Sequence, residues 1–139
     1  MLRVVSNWVR DRVYAGVVEA GFDDLNPAHL ALFRYPGLDG THPSHLAAEL
    51  QITKQAVNQL AGHLERHDYI VREPDPVDRR GRVIRLTAKG QRVERSIHEH
   101  ARVAERRIAE ILGPTEFEQL RTELTVLFEA VTAPDGQPA

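Results

Sequence analysis

The 139-residue chain has no cysteine, one methionine and one tryptophan, and only 6% of its residues are aromatic. Without cysteine there is no disulfide, no thiolate nucleophile, no cysteine-ligated zinc and no thiol redox sensor. No stretch approaches the roughly 18 consecutive apolar residues of a membrane span, so no membrane partner is expected. The opening Met1-Leu2-Arg3-Val4-Val5-Ser6 has neither a long apolar region nor a small-residue cleavage site. It reads as no secretory signal, and the expected location is cytoplasmic. Enzyme motifs are missing too: no nucleophile elbow, P-loop, dinucleotide glycine pattern or H-E-x-x-H. Asp23-Asp24 reads as a turn pair, not a spaced acid and base. The expectation is a protein that is not an enzyme and has no cofactor.

A dominant charge sign is also lacking, since the formal net charge is −2. The charge is unevenly placed, however. Residues 43–90 hold eight basic and six acidic side chains, so this segment is +2 and the remainder −4. Four arginines, Arg79, Arg80, Arg82 and Arg85, crowd into seven positions. A local basic cluster attracts a polyanion more than the total charge repels it.

Hydrophobic spacing divides the chain into elements. Leu2, Val5, Val9, Val13 and Val17 make one helical stripe, ended near Ala20-Gly21. Asn26-Pro27 reads as an N-cap and first-turn proline, with Leu30 and Phe33 inward and Tyr35-Pro36-Gly37 as the stop. Pro43 opens a helix with Leu46, Ala47 and Leu50 inward. After the turn Gln51-Ile52, Thr53 caps another with Val57, Leu60 and Leu64 inward. Tyr69–Arg72 and Arg82–Leu86 read as two strands around a tip rich in proline and arginine. Thr87 caps a long helix, and Thr115–Glu118 reads as a capping box opening the last one, with 132–139 as a disordered tail. The fold class is α+β, mainly α: a winged helix-turn-helix with flanking N- and C-terminal dimerisation helices. The terminal stripes exceed what the small centre covers, and a second copy of the chain is the simplest partner for them.

The run Asp78-Arg79-Arg80-Gly81-Arg82-Val83-Ile84-Arg85-Leu86-Thr87-Ala88-Lys89-Gly90 resembles the wing pattern of the MarR family of bacterial transcription regulators. Leu46–Leu50, Ile52–Val57 and Leu64-Glu65-Arg66 are similar to that family's two DNA-contacting helices. The likeness covers about residues 27–131. It implies a single domain over 1–131, with a DNA-binding lobe at about 27–90 and dimerisation helices at about 1–20 and 88–131. Two departures stand out. Asp68 replaces the usual helix-ending glycine, and Gly62 lies inside the recognition helix.

The resemblance implies a homodimer that binds double-stranded operator DNA, usually as a repressor. The second helix of the pair would enter the major groove, presenting Thr53, Lys54, Gln55, Asn58 and Gln59. Its amides suit adenine edges, and no arginine precedes Arg66, so an A·T-rich half-site is expected. Ser44 and the helix starts at Thr41–Ser44 and Thr53–Lys54 offer free N–H groups to phosphates, with capping as the plainer role of Thr41. Arg79, Arg80 and Arg82 suit a minor groove. The resemblance points to Arg80 as the inserted residue and to Asp78 as orienting the loop by pairing with an arginine. It also implies an aromatic or phenolic small-molecule effector, for which Trp8, Tyr14, His29, Phe33 and Tyr35 are candidates, although such side chains more often pack cores. His63 and His67, and His42 and His45, have spacings that share a helix face, but no complete metal-ligand set is visible and no metal is expected. An alternative reading is a winged helix used for protein contacts without DNA.

Overall fold

The computed structural model describes residues 1–34 and 37–133. Helix α1 (Leu2–Glu19) buries only Gly16 and Val17 and leaves Leu2 and Val4 largely exposed. Asn26 then starts α2 (Pro27–Leu32): its side chain accepts from the N–H groups of Ala28 and His29. His29 Nδ1 accepts in return from the Asn26 N–H, at 3.0 Å, so a histidine completes the capping box. Leu32 and Phe33 are the buried residues of this turn, while Leu30 packs half-buried against the core.

The helix-turn-helix follows the expected lines. α3 (Pro43–Leu50) buries Leu46 and Ala47. It ends on Gln51, whose φ of 54° is left-handed. Thr53 caps α4 (Lys54–Arg66) by accepting from the Ala56 N–H at 3.0 Å, and α4 buries Val57, Ala61 and Leu64. Asp68 occupies the left-handed region at φ 61°, the conformation a glycine would adopt without strain.

β1 (Ile70–Pro74) pairs antiparallel with β2 (Arg82–Leu86), Ile70 opposite Leu86 and Pro74 opposite Arg82. β1 therefore runs two residues beyond the expected strand. Pro74 is tolerated there because it sits at the open end of the ladder. On the other edge of β2, the Gly40 N–H donates to the Ile84 carbonyl and the Ile84 N–H to the Thr41 carbonyl, at 2.7 and 3.0 Å. The Asp39 carboxylate accepts from the Leu86 N–H. The segment between Gly37 and Pro43 is thus a strap along the sheet. Thr41 is no cap: its hydroxyl donates to the Gly37 carbonyl, and His42 is the N-cap residue of α3.

Thr87 caps α5 (Ala88–Leu112) by accepting from the Gly90 N–H at 3.1 Å. α6 (Pro114–Thr132) begins differently from expectation. Gly113 at φ 94° is its N-cap, no side chain caps it, and Pro114 is its first residue. Proline preset for the first turn starts the helix early and places Thr115 inside it. The chain forms two compact units that divide within α5, one up to Ala101 and one from Arg102. The core of the first unit joins Leu25, Leu32, Phe33, Leu46, Val57, Leu64, Tyr69, Ile70, Ile84 and Val93. In the second, α6 has no buried residue, and Leu124, Leu127 and Val131 lie 45–71% exposed.

Two glycines in the first unit have opposite roles. A Cβ on Gly90 would lie 2.1 Å from the Tyr69 carbonyl oxygen, which is backbone and cannot yield. A Cβ on Gly62 would meet the flexible end of Arg66 at 3.3 Å and, at an ordinary contact distance of 3.9 Å, the Arg72 guanidinium. Gly90→Ala is expected to destabilise by about 1–3 kcal/mol or more, and Gly62→Ala to stabilise by about 0.5–1 kcal/mol. Urea denaturation of the two variants checks both signs.

Candidate nucleic-acid interface

The residues expected to read DNA all lie exposed on the first unit. Ser44 is in the first turn of α3, and Lys54, Gln55, Asn58 and Gln59 line the outer face of α4. Thr53 is exposed, but its oxygen is engaged in capping. Asn58 is also engaged: Arg72 Nη1 donates to its Oδ1 at 3.3 Å and Arg72 Nη2 to its carbonyl at 3.4 Å. Arg72 reaches across from β1, with Nε 3.2 Å from a Glu65 carboxylate oxygen. This guanidinium fastens the sheet to α4, a role with no local sequence signal. Among the described residues, Lys54, Gln55 and Gln59 are the uncommitted side chains on the face.

The tip of the β1–β2 hairpin is closed by its own backbone. The Asp75 N–H donates to the Gly81 carbonyl and the Gly81 N–H to the Asp78 carbonyl, both at 2.9 Å. Asp78 Oδ1 accepts from the Arg80 N–H at 3.1 Å. Its bond is therefore to the backbone of Arg80, not to a guanidinium as expected. Among the described residues Arg79 and Arg80 make no ion pair, and both are exposed. Arg82 folds back, Nη1 donating to the Arg72 carbonyl at 3.4 Å.

His42 links this tip to the start of α3. Its Nδ1 lies 3.1 Å from the Arg82 carbonyl oxygen and its Nε2 2.9 Å from Asp75 Oδ2. Asp75 also accepts from the Val77 N–H at 2.8 Å. That bond first, and then those from Asp78 and His42 against a smaller opposing effect of burial, hold the Asp75 carboxyl below its ordinary range.

The MarR family model matches residues 23–81, the helix-turn-helix and most of the wing. Over that stretch the chain is similar to the MarR family. Its fold is that of solved transcriptional regulators. Tm0710 from Thermotoga maritima is 25% identical, with a TM-score of 0.70 over 96% of this chain and 95% of that one. RV1404 from Mycobacterium tuberculosis is 26% identical, with a TM-score of 0.75 over 98% and 92%. A mutant of S. aureus MepR bound to an oligodeoxyribonucleotide is 24% identical, with a TM-score of 0.60 over 94% and 95%. No curated protein matches the sequence.

Within the first unit the effector candidates scatter. Tyr14 lines an open cleft of about 430 Å³ with Val9, Val13, Leu30 and Ile97, and Arg10 and Arg34 also reach it. Trp8 instead lies under the Arg12 guanidinium, 4.3 Å away. His29 and Phe33 are buried, and Tyr35 lies outside the described residues. Among the described residues, Asp24, His63 and His67 are the group that brings metal-ligating side chains together. None of the helices described is long and apolar enough to cross a membrane.

The wing clamp has a pH signature. Because the folded Asp75 carboxyl is more acidic than the unfolded one, its contribution is complete above the ordinary carboxylate value and lost as pH falls through the folded one. Asp75→Asn is therefore expected to reduce stability at pH 7, and the difference from wild type to shrink below pH about 4. Parallel urea titrations between these pH values check it.

Proposed function

We propose that this chain is a DNA-binding transcription regulator, acting as a ligand-responsive repressor on a pseudo-palindromic operator. The observation that carries the reading is the pairing, on one lobe, of a helix face with free Lys54, Gln55 and Gln59 and a backbone-locked tip with free Arg79 and Arg80. Gln55 and Gln59 read base edges in the major groove, and Asn58 joins them only on release by Arg72. Arg80 enters the minor groove, Arg79 holds a phosphate, and Arg82 supports the hairpin. Ser44 and the capped start of α4 position the backbone of the duplex. The MepR mutant of similar fold is bound to an oligodeoxyribonucleotide, which supports DNA as the partner.

The unburied apolar face of α6 supports a homodimer, because isolated soluble chains rarely leave such a stripe uncovered. Two subunits then read half-sites one helical turn, about 34 Å, apart. The cleft beside Tyr14, apolar with Arg10 and Arg34 at hand, suits a small aromatic or phenolic effector. Such a ligand releases DNA by favouring a subunit spacing that the operator does not match. A cytoplasmic location follows from this role.

Titration of a selected genomic operator tests the proposal. Arg80→Ala is expected to weaken binding by about tenfold or more and to lower the salt slope by about one for each phosphate charge no longer neutralised. Gln59→Ala is expected to relax sequence preference more than it weakens binding to random DNA. A protein-contact module would show no salt-dependent DNA affinity. Sedimentation at micromolar concentration is expected to give a dimer.

A further inference from the structure

His63 and His67 stand four residues apart at the end of α4, where side chains share a face. The chain brings Asp24, from the loop between α1 and α2, against them. One ligand atom from each of the three lies within 4.8 Å of the others. His67 Nδ1 is 3.2 Å from Asp24 Oδ2, and His63 Nε2 is 2.8 Å from the Asp24 carbonyl oxygen. The Tyr69 hydroxyl donates to Asp24 Oδ1 at 2.5 Å, which fixes the carboxylate and leaves Oδ2 turned to the histidines. His29 stacks on the His63 ring at 4.0 Å. Its Nδ1 is occupied by the Asn26 N–H, so it walls the cluster without adding a ligand.

We propose that Asp24, His63 and His67 bind a divalent metal of the zinc type, with water in the fourth position. Two imidazoles and one carboxylate select zinc, cobalt or nickel over magnesium and calcium. Three protein ligands and one open position are the usual composition of an exchangeable site. The Tyr69 hydroxyl supplies the outer hydrogen bond that orients a ligating carboxylate. Side-chain exposures of 43% for His67 and 30% for Asp24 leave an entry path. Bonds of about 2.0–2.2 Å to the metal require the ligand atoms to close to roughly 3.4 Å, a side-chain rotation that exchanges the His63 bond to the carbonyl for one to the ion. Lys89 is the neighbouring positive charge, with its Nζ over the Tyr69 ring face, 4.2 Å from the centroid, and donating to the His67 carbonyl.

Cobalt titration of the untagged full chain, read by the visible absorption of four-coordinate Co²⁺, tests the site. The expected result is one ion per chain, displaced by zinc. His67→Gln and Asp24→Asn should abolish the band, and Tyr69→Phe should weaken binding about 10–100-fold. His67 is exposed, so His67→Gln keeps its thermal unfolding curve and decides the matter even if Asp24→Asn does not fold. A band that survives His67→Gln, or is lost only with His98→Gln, overturns the proposal, as does the absence of stoichiometric binding at sub-millimolar cobalt.

Discussion

Tyr69 is the residue through which the parts of the first unit meet. Its side chain is 1% exposed, edge-on to Phe22 at 6.2 Å, with its hydroxyl on the Asp24 carboxylate. Burial first, and then the neighbouring carboxylate, push that hydroxyl well above the ordinary tyrosine range, so it is a fixed donor. Its carbonyl accepts from both the N–H and the hydroxyl of Thr87 at 3.1 and 3.0 Å, while Gly90 presses against the same oxygen. One residue thus ties the end of α4, the start of β1, the first turn of α5 and the loop before α2. The left-handed Asp68 is the bend that delivers it there.

Much of this was legible in the sequence because helix starts are local. Asn26, Thr53 and Thr87 cap the helices that their side-chain chemistry announces, and the proline after Asn26 reinforces the signal. Local rules failed where a stronger local rule competed, as when Pro114 displaced the Thr115 capping box. The remainder was invisible for another reason. The Tyr69–Asp24 bond joins residues 45 apart, His63 reaches a carbonyl 39 residues away, and Arg72 meets Asn58 across 14. Such contacts are decided by packing, and no periodicity encodes them. The exposed candidates, by contrast, needed only a helix face and a turn to be named.

Polar residues of the wing divide into those that build it and those that remain free. Asp75, Asp78, His42, Arg72 and Arg82 all spend their hydrogen bonds on the protein itself. The segment Asp39–Thr41 supports β2 from its far edge, so the two-stranded hairpin is hydrogen-bonded on that side as well. Composition alone could not separate these arginines, since four identical side chains, Arg79, Arg80, Arg82 and Arg85, crowd seven positions.

The tip also has little disorder to give up. Its turn is already closed by the Asp75–Gly81 and Asp78–Gly81 backbone bonds and by the Arg80 N–H on Asp78. Whatever polyanion meets Arg79 and Arg80 freezes two side chains instead of a whole loop, and each frozen side chain costs only about 0.5–1.5 kcal/mol. A rigid hairpin of this kind trades adaptability for speed of fit: it suits one groove width and cannot stretch to another.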